Sequence, residues 1–187
     1  QAVQALSSHS GTSLLFGATG SGKTEVYLHL MESILSRDTS SQILVMVPEI
    51  NLTPQLEQRL RARFQALGPH AVVSLHSGLT PAQRLNHWLM THLGIARVVL
   101  GTRLSVFTPL PHLKLLVVDE EHDPSFKQSD GPRHSSRDLA VMRGHLQKLP
   151  VVLGSATPSL ESWHNSAGPP NEPGVYQRVL MPQRQGN

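Results

Sequence analysis

The segment Gly17-Ala18-Thr19-Gly20-Ser21-Gly22-Lys23-Thr24 carries the spacing G-x-x-x-x-G-K-[ST] without a gap. Glycines and small residues at this spacing let successive backbone N–H groups turn inward around a phosphate. Gly17, Thr19, Gly20, Ser21 and Gly22 would build the cradle. Lys23, expected to stand exposed in the loop, would reach the β- and γ-phosphates, and the Thr24 hydroxyl would sit in a Mg²⁺ shell. A helix opening here aims its partially positive N-terminus at the same anion. Far downstream, the apolar run Leu115-Leu116-Val117-Val118 ends in Asp119-Glu120-Glu121-His122. Mg²⁺ keeps several waters and takes one or two carboxylates, which suits Asp119. Glu120 is the candidate to orient and activate an attacking water. Lys23, Asp119 and Glu120 are therefore the candidate catalytic set for phosphoryl chemistry on ATP with Mg²⁺. The phosphate loop alone does not separate an NTPase from a kinase.

These residues need elements that hold them. Apolar runs at 13–16, 43–47, 72–75, 97–100, 115–118 and 151–153 predict strands, and 175–180 is either one more strand or the entry to a second domain. Helical periodicity predicts helices over about 23–35, 54–67, 81–93, 136–149 and 158–164. Thr53 before Pro54 reads as an N-cap and first helical residue, Thr80 to Gln83 as a capping box, and Ser136 as a cap. Strand and helix alternate throughout, so the expected fold is α/β: parallel βαβ units with right-handed crossovers and helices on both faces, a three-layer αβα sandwich around a mainly parallel sheet. In such a sheet the ligand crevice lies at the carboxyl ends of the strands, which brings Asp119 and Glu120 beside the phosphate loop.

Composition narrows the class. The 187 residues suffice for one sizeable domain, and aromatics at 4% leave its core to Leu, Val, Ile and Ala. There is no cysteine and no H-x-x-x-H pair among the 11 histidines, so neither a disulfide framework nor a zinc site is expected in this chain. No apolar run is long enough to span a bilayer and no signal-peptide layout is present; a cytoplasmic location without membrane contact is the expectation. The formal charge of +3 tolerates a nucleic-acid partner without demanding one. The chain starts at Gln1 and ends in a polar tail, which reads as a piece of something longer.

Several segments together carry a resemblance. An Asp-Glu-x-His strand end with Gly154-Ser155-Ala156-Thr157-Pro158 downstream is similar to the superfamily 2 helicases. GATGSGKTEVYL, VPEINLTPQ, LHSGL, GTRLSVF, VVDEEHDPSFKQ, RDLAV and LGSATPSLES, in that order from about residue 14 to 164, resemble the bacterial primosomal PriA family within them. The resemblance implies a RecA-like P-loop NTPase fold over 1–165, the first motor lobe and ATP-binding lobe of a helicase, with 166–187 as a linker toward a second lobe. It implies ATP-driven 3′-to-5′ movement on single-stranded or forked DNA, in primosome assembly and replication restart with other proteins of that process. It places 48–55 and 101–103 on single-stranded DNA. Thr102 and Arg103, with Ser77 and Thr108, lie just after strands, where hydroxyls and a guanidinium can hold phosphates. His122 with Ser155 and Thr157 would couple the ATP site to the DNA track.

The stretch 123–137 corresponds to a loop called aromatic-rich in this family, thought to couple DNA contact to hydrolysis. Phe126, Lys127 and Arg133 remain as its candidate DNA contacts. Pro132 and His134 stand where aromatic residues are expected. The family's adenine-reading glutamine would precede residue 1, and its arginine finger and zinc-binding cysteines belong to parts outside this chain. Rival readings are another superfamily 2 translocase of RecG-like or restriction type, a small-molecule P-loop kinase, and a non-catalytic binding module. The Ser-Ala-Thr after 151–153 argues against the kinase.

Overall fold

Strands that are apolar at nearly every position cannot leave either face in water, so they assemble where helices cover both sides. The computed structural model describes residues 1–128, 131, 133–167 and 174–181 and shows this arrangement. The strands β1 (Thr12–Phe16), β2 (Gln42–Met46), β3 (Val72–Leu75), β4 (Val98–Gly101), β5 (Leu113–Asp119), β8 (Val151–Ser155) and β9 (Gln177–Leu180) form one sheet in the order β3-β4-β2-β5-β8-β1-β9. Every pairing in it is parallel. A separate two-residue antiparallel pair, β6 (Lys127–Gln128) with β7 (His134–Ser135), makes a small hairpin after β5. The described helices are α1 (Ala2–Ser7), α2 (Lys23–Arg37), α3 (Pro54–Arg63), α4 (Pro81–His92), α5 (Ser136–Gln147) and α6 (Leu160–Ala167).

The two faces of the sheet bury separate apolar layers. Leu15, Ile43, Val45, Leu115 and Val117 meet α1, α2 and α3 through Leu6, Met31 and Leu60. Leu14, Leu44, Leu116, Val118 and Leu153 meet the opposite layer, which includes Val106, Ala140 of α5 and Phe126. The alternation of Leu14 and Leu15, or of Leu115 to Val118, between the layers is the two-residue period of a strand.

Local signals set most boundaries. Thr53 Oγ1 accepts from the Leu56 amide at 3.3 Å, with Pro54 at the first helical position. Thr80 and Gln83 close a capping box, the Gln83 amide donating to Thr80 Oγ1 at 3.3 Å and the Thr80 amide to Gln83 Oε1 at 3.0 Å. Elsewhere the structure corrects the expectations. Helix α3 stops at Arg63 and not near residue 67; a 3-10 turn over Gln65–Leu67 follows and Gly68 turns the chain with φ 102°. The cap of α5 is Ser135, whose Oγ accepts from the Asp138 amide, because Ser136 is already helical and fully buried. Helix α1 has no counterpart in the sequence reading; its six residues are too few for a periodic signal, and it forms by docking Leu6 on α2. Of the two readings of 175–180, the strand is what forms: β9 lines up beside β1, Ser13 opposite Gln177, so this part of the expected linker belongs to the sheet. Residues 168–173 and 182–187, in the rest of that tail, lie outside the described residues. No described helix is long and apolar enough to cross a membrane.

Helix α5 approaches β8 so closely that a Cβ on Gly144 would stand 2.1 Å from Val151 Cγ2. Alanine would add about 1 kcal/mol of helix propensity, but overpacking a buried contact costs about 1–3 kcal/mol. Gly144→Ala is therefore expected to lower stability in urea unfolding, and a gain would show that α5 can move off the sheet without loss.

Candidate functional site

The phosphate loop follows β1 directly and ends where α2 begins at Lys23. Gly20 and Gly22 hold φ of 76° and 91°, left-handed values that side chains disfavour. A Cβ at either would meet nothing within 4 Å, so it is the backbone conformation and not crowding that calls for glycine there. Gly17 is held differently: a Cβ there would lie 2.6 Å from Met181 Cβ and 2.7 Å from Ser21 Oγ. Ser21 Oγ is buried without a hydrogen-bond partner. A glycine turn beside an unpartnered hydroxyl is a place that a bound phosphate would complete.

Lys23 is not the exposed side chain that the sequence reading expects. It is 7% exposed, and its ammonium donates to the Gly17 carbonyl at 2.9 Å and lies 3.9 Å from Glu120 Oε1. The reason is electrostatic: without a phosphate, a buried ammonium needs carbonyl and carboxylate partners close by. An incoming phosphate would take the place of those partners.

Asp119 lies two strands from the loop, since β8 runs between β5 and β1. What connects them is Tyr27, on the first turns of α2. Its hydroxyl donates to Asp119 Oδ1 at 3.0 Å, passing over Gly154 of β8, where a Cβ would stand 1.5 Å from it. Burial, then the carboxylate neighbours, push the Tyr27 hydroxyl well above its ordinary pKa, so it stays a donor. Burial also raises Asp119, and Glu120 adds to this, while the Tyr27 hydroxyl and Lys23 act the other way. Thr24, Tyr27 and Asp119 line one small cleft. One hydroxyl and one carboxylate under-supplied with positive charge fit a Mg²⁺ that is also held by phosphates and water. No described group of three or more His, Cys, Asp or Glu could cage a metal by itself. Sequence reasoning missed Tyr27 and Gly154; four residues from Lys23 on the same helix face was the available signal.

Glu120 adopts φ 48°, a strained conformation for a non-glycine residue, immediately after β5. Its Oε2 lies 3.6 Å from His122 Nδ1. The same ring places Nδ1 2.7 Å from Ser155 Oγ and Nε2 3.2 Å from Thr157 Oγ1, and the Thr157 amide donates to Ser155 Oγ at 2.9 Å. The Gly17 amide donates to the Ser155 carbonyl at 3.2 Å. His122, Ser155 and Thr157 thus form one cluster touching both the acidic strand end and the phosphate loop.

The remaining sequence candidates gather farther along the same sheet edge. Ser77, Thr102, Arg103 and Thr108 line a cleft of about 320 Å³ at the ends of β3 and β4, with Arg84 and Trp88 of α4. The 3-10 turn Glu49–Asn51 leaves Ile50 81% exposed. Thr102 and Thr108 are each only 6% exposed, so their hydroxyls shape the cleft more than they reach out of it. Arg103 Nη1 donates to the Lys127 carbonyl at 3.4 Å. Lys127 and Arg133 are exposed. Phe126 is a correction: it is 1% exposed and packs in the core against the strands, so it anchors its loop and cannot meet DNA from there. Its apolar ring gains more from that burial than from a solvent-facing loop position. His134 and Phe107 form a T-shaped ring pair, 5.5 Å between centroids. Pro132 lies outside the described residues.

Burial, with Glu120 adding to it, makes the ionised form of Asp119 costly to hold in the fold. Its folded-state pKa lies above the ordinary value, so its contribution to stability falls as pH rises through that window and stays unfavourable above it. Asparagine removes the charge and can still accept from Tyr27. Asp119→Asn is expected to stabilise the unliganded chain at pH 7 by about 0.5–2 kcal/mol, with the gain vanishing below the ordinary carboxylate range. A lower melting temperature at pH 7 would contradict this electrostatic picture.

Comparison with known proteins places this geometry. The family described as DEAD/DEAH box helicase matches residues 1–165. Among curated relatives, the replication restart protein PriA of Synechocystis sp. is 50% identical over 172 residues, 91% of this chain and 20% of that protein. PriA of Haemophilus influenzae is 45% identical over 181 residues, covering 96% of this chain and 23% of its own length. The chain therefore spans about a fifth of the curated relatives it matches. Among solved structures, the DUF1998 helicase MrfA bound to DNA superposes with a TM-score of 0.67 at 16% identity, over 96% of this chain and 24% of that one. The DEAD-box helicase Mss116 bound to ssRNA and UDP-BeF gives 0.60 at 21% identity, over 84% and 34%. At such identities the likeness is one of fold, and it is the RecA-like helicase fold. On the match over residues 1–165, the chain belongs to the DEAD/DEAH box helicase family.

Proposed function

We propose that residues 1–165 are the ATP-binding lobe of an ATP-dependent DNA helicase that moves 3′ to 5′ and serves primosome assembly and replication restart. The observation that carries this reading is the position of His122. It joins Glu120, at 3.6 Å, to Ser155 and Thr157, at 2.7 and 3.2 Å, on the strand end next to the phosphate loop. A small-molecule kinase needs an acceptor pocket at this place, whereas a motor needs the water-orienting carboxylate connected to a second surface. The PriA relatives, named as replication restart proteins, supply the biological setting.

In this reading the amides from Gly17 to Gly22 cradle the phosphates, with Thr19 and Ser21 at the loop's rim. Lys23 leaves the Gly17 carbonyl for the β- and γ-phosphates. Thr24 and Asp119 would hold Mg²⁺, which would supply charge neutralisation on the phosphate oxygens when bound. Glu120 orients the water. Single-stranded or forked DNA lies along the rim of β3 and β4, its phosphates on Arg103, Lys127 and Arg133 and on the turn at Glu49–Asn51. Strand β9 belongs to this lobe's sheet, and zinc sites and partner contacts would reside in other parts of a longer protein, in a cytoplasmic setting.

The test uses the full-length protein. Its ATP turnover is expected to rise with single-stranded DNA. Glu120→Gln is expected to cut stimulated turnover by about 10²–10⁴-fold, the range for loss of a positioned base, while ATP affinity changes little. Near-parental turnover by this variant would remove Glu120 from its role.

A further inference from the structure

Glu121, the neighbour of Glu120, has no part in the chemistry above, yet its side chain is fully buried. Its Oε2 accepts from Arg137 Nη1 at 3.2 Å, from Ser159 Oγ at 3.0 Å and from Ser162 Oγ at 2.9 Å, and its Oε1 accepts from the Ser159 amide at 2.7 Å. Arg137, 8% exposed, also donates through Nη1 to Ser159 Oγ at 2.7 Å and pairs with Asp138. Burying an ion pair seldom adds net stability over an apolar pair of similar volume, so core strength alone does not account for it.

The position of the pair in the chain supplies a reason. Residues 122–136 lie between Glu121 and Arg137, and they include the hairpin of β6 and β7 with exposed Lys127 and Arg133. The pair closes the base of this segment. Arg103 holds it from the side through the Lys127 carbonyl, and Phe126 seats it in the core. One residue before the pair stands Glu120, in its left-handed conformation and facing Lys23. Two residues before Ser159 stands Thr157, in the His122 cluster. Glu121 thus joins the base of the hairpin to Glu120 on one side and, through Ser162, to α6 on the other.

We propose that the Glu121–Arg137 pair, with Ser159, is the clasp that makes ATP turnover respond to DNA held on the hairpin. Glu121 and Arg137 are positioning residues: they tie the base of the hairpin to the strand end that carries Glu120, and neither would touch nucleotide or DNA. This rests on the helicase reading above. Removing one partner strands a buried charge, so the double variant E121Q/R137M, which removes both, is the suitable probe, with Arg137→Lys as the conservative partner.

The full-length protein and both variants are assayed for thermal unfolding, single-stranded DNA affinity, and kcat and KM for ATP with and without DNA. The double variant is expected to remain folded, with DNA affinity, KM and DNA-free kcat within about threefold of the parent, and its stimulation by DNA reduced at least about tenfold. Arg137→Lys keeps the charge and loses the guanidinium fork, so it should retain an intermediate stimulation. A folded double variant stimulated as strongly as the parent overturns the clasp. If the double variant fails to fold, parental stimulation in Arg137→Lys overturns it equally. A parent that DNA does not stimulate at all overturns the helicase reading, and the clasp with it; parent and variants stimulated alike overturn the clasp alone.

Discussion

The site depends on one close approach, that of α2 to the end of β8. Strand β8 separates the strand that feeds the phosphate loop from the strand that carries Asp119. A side chain at Gly154 would occupy the path of the Tyr27 hydroxyl, since even a Cβ would stand 1.5 Å from it and 3.3 Å from Asp119 Oδ1. With glycine there, Tyr27 reaches across and fixes Asp119 in a cleft shared with Thr24. The helix that carries Lys23 and Thr24 is thereby held to the carboxylate of Asp119. The adjacent Ser155 accepts from the Gly17 amide through its carbonyl and meets His122 through its hydroxyl. Two successive residues of β8 thus bring the loop, the acidic strand end and the His122 cluster together on one edge.

Backbone strain and buried polar groups lie together along this edge. Glu120 is one of two described non-glycine residues with positive φ, and the other, Lys148, merely ends α5. Asp119 is buried with too little positive charge, Ser21 has an unpaired hydroxyl, and Lys23 borrows a carbonyl. A bound Mg²⁺–nucleotide would offer partners to Asp119 and Ser21. The apolar layers on the two faces of the sheet supply the surplus that lets the edge remain so arranged.

What the sequence disclosed follows from how local each signal is. The phosphate loop, the strand end at Asp119 and the parallel βαβ order depend on spacing and period along a short window, and they are readable without a structure. The pairing of His122 with Ser155 came from resemblance, and the distance of 2.7 Å accords with it. The misreadings involve partners far apart in the chain. Lys23 is buried because Gly17 and Glu120 enclose it, and Phe126 is buried because the hairpin folds it onto β5 and β8. Tyr27 and Gly154 lie 127 positions apart, and only the crossing of α2 over β8 brings them together. Glu121 and Arg137 look like surface charges in the sequence, since nothing local reveals that Ser159 and Ser162 will enclose them.

The central claim, that the open position at Gly154 lets α2 and β5 build one Mg²⁺–nucleotide site, is tested most directly by calorimetric titration of ADP into the chain and its Gly154→Ala variant, with and without Mg²⁺. Alanine displaces the Tyr27 hydroxyl while leaving every phosphate-loop residue in place. The account predicts a folded variant that binds ADP without Mg²⁺ about as the parent does and loses at least about tenfold, or 1.4 kcal/mol, of the affinity that Mg²⁺ adds. Equal Mg²⁺-dependent affinity in parent and variant would contradict it.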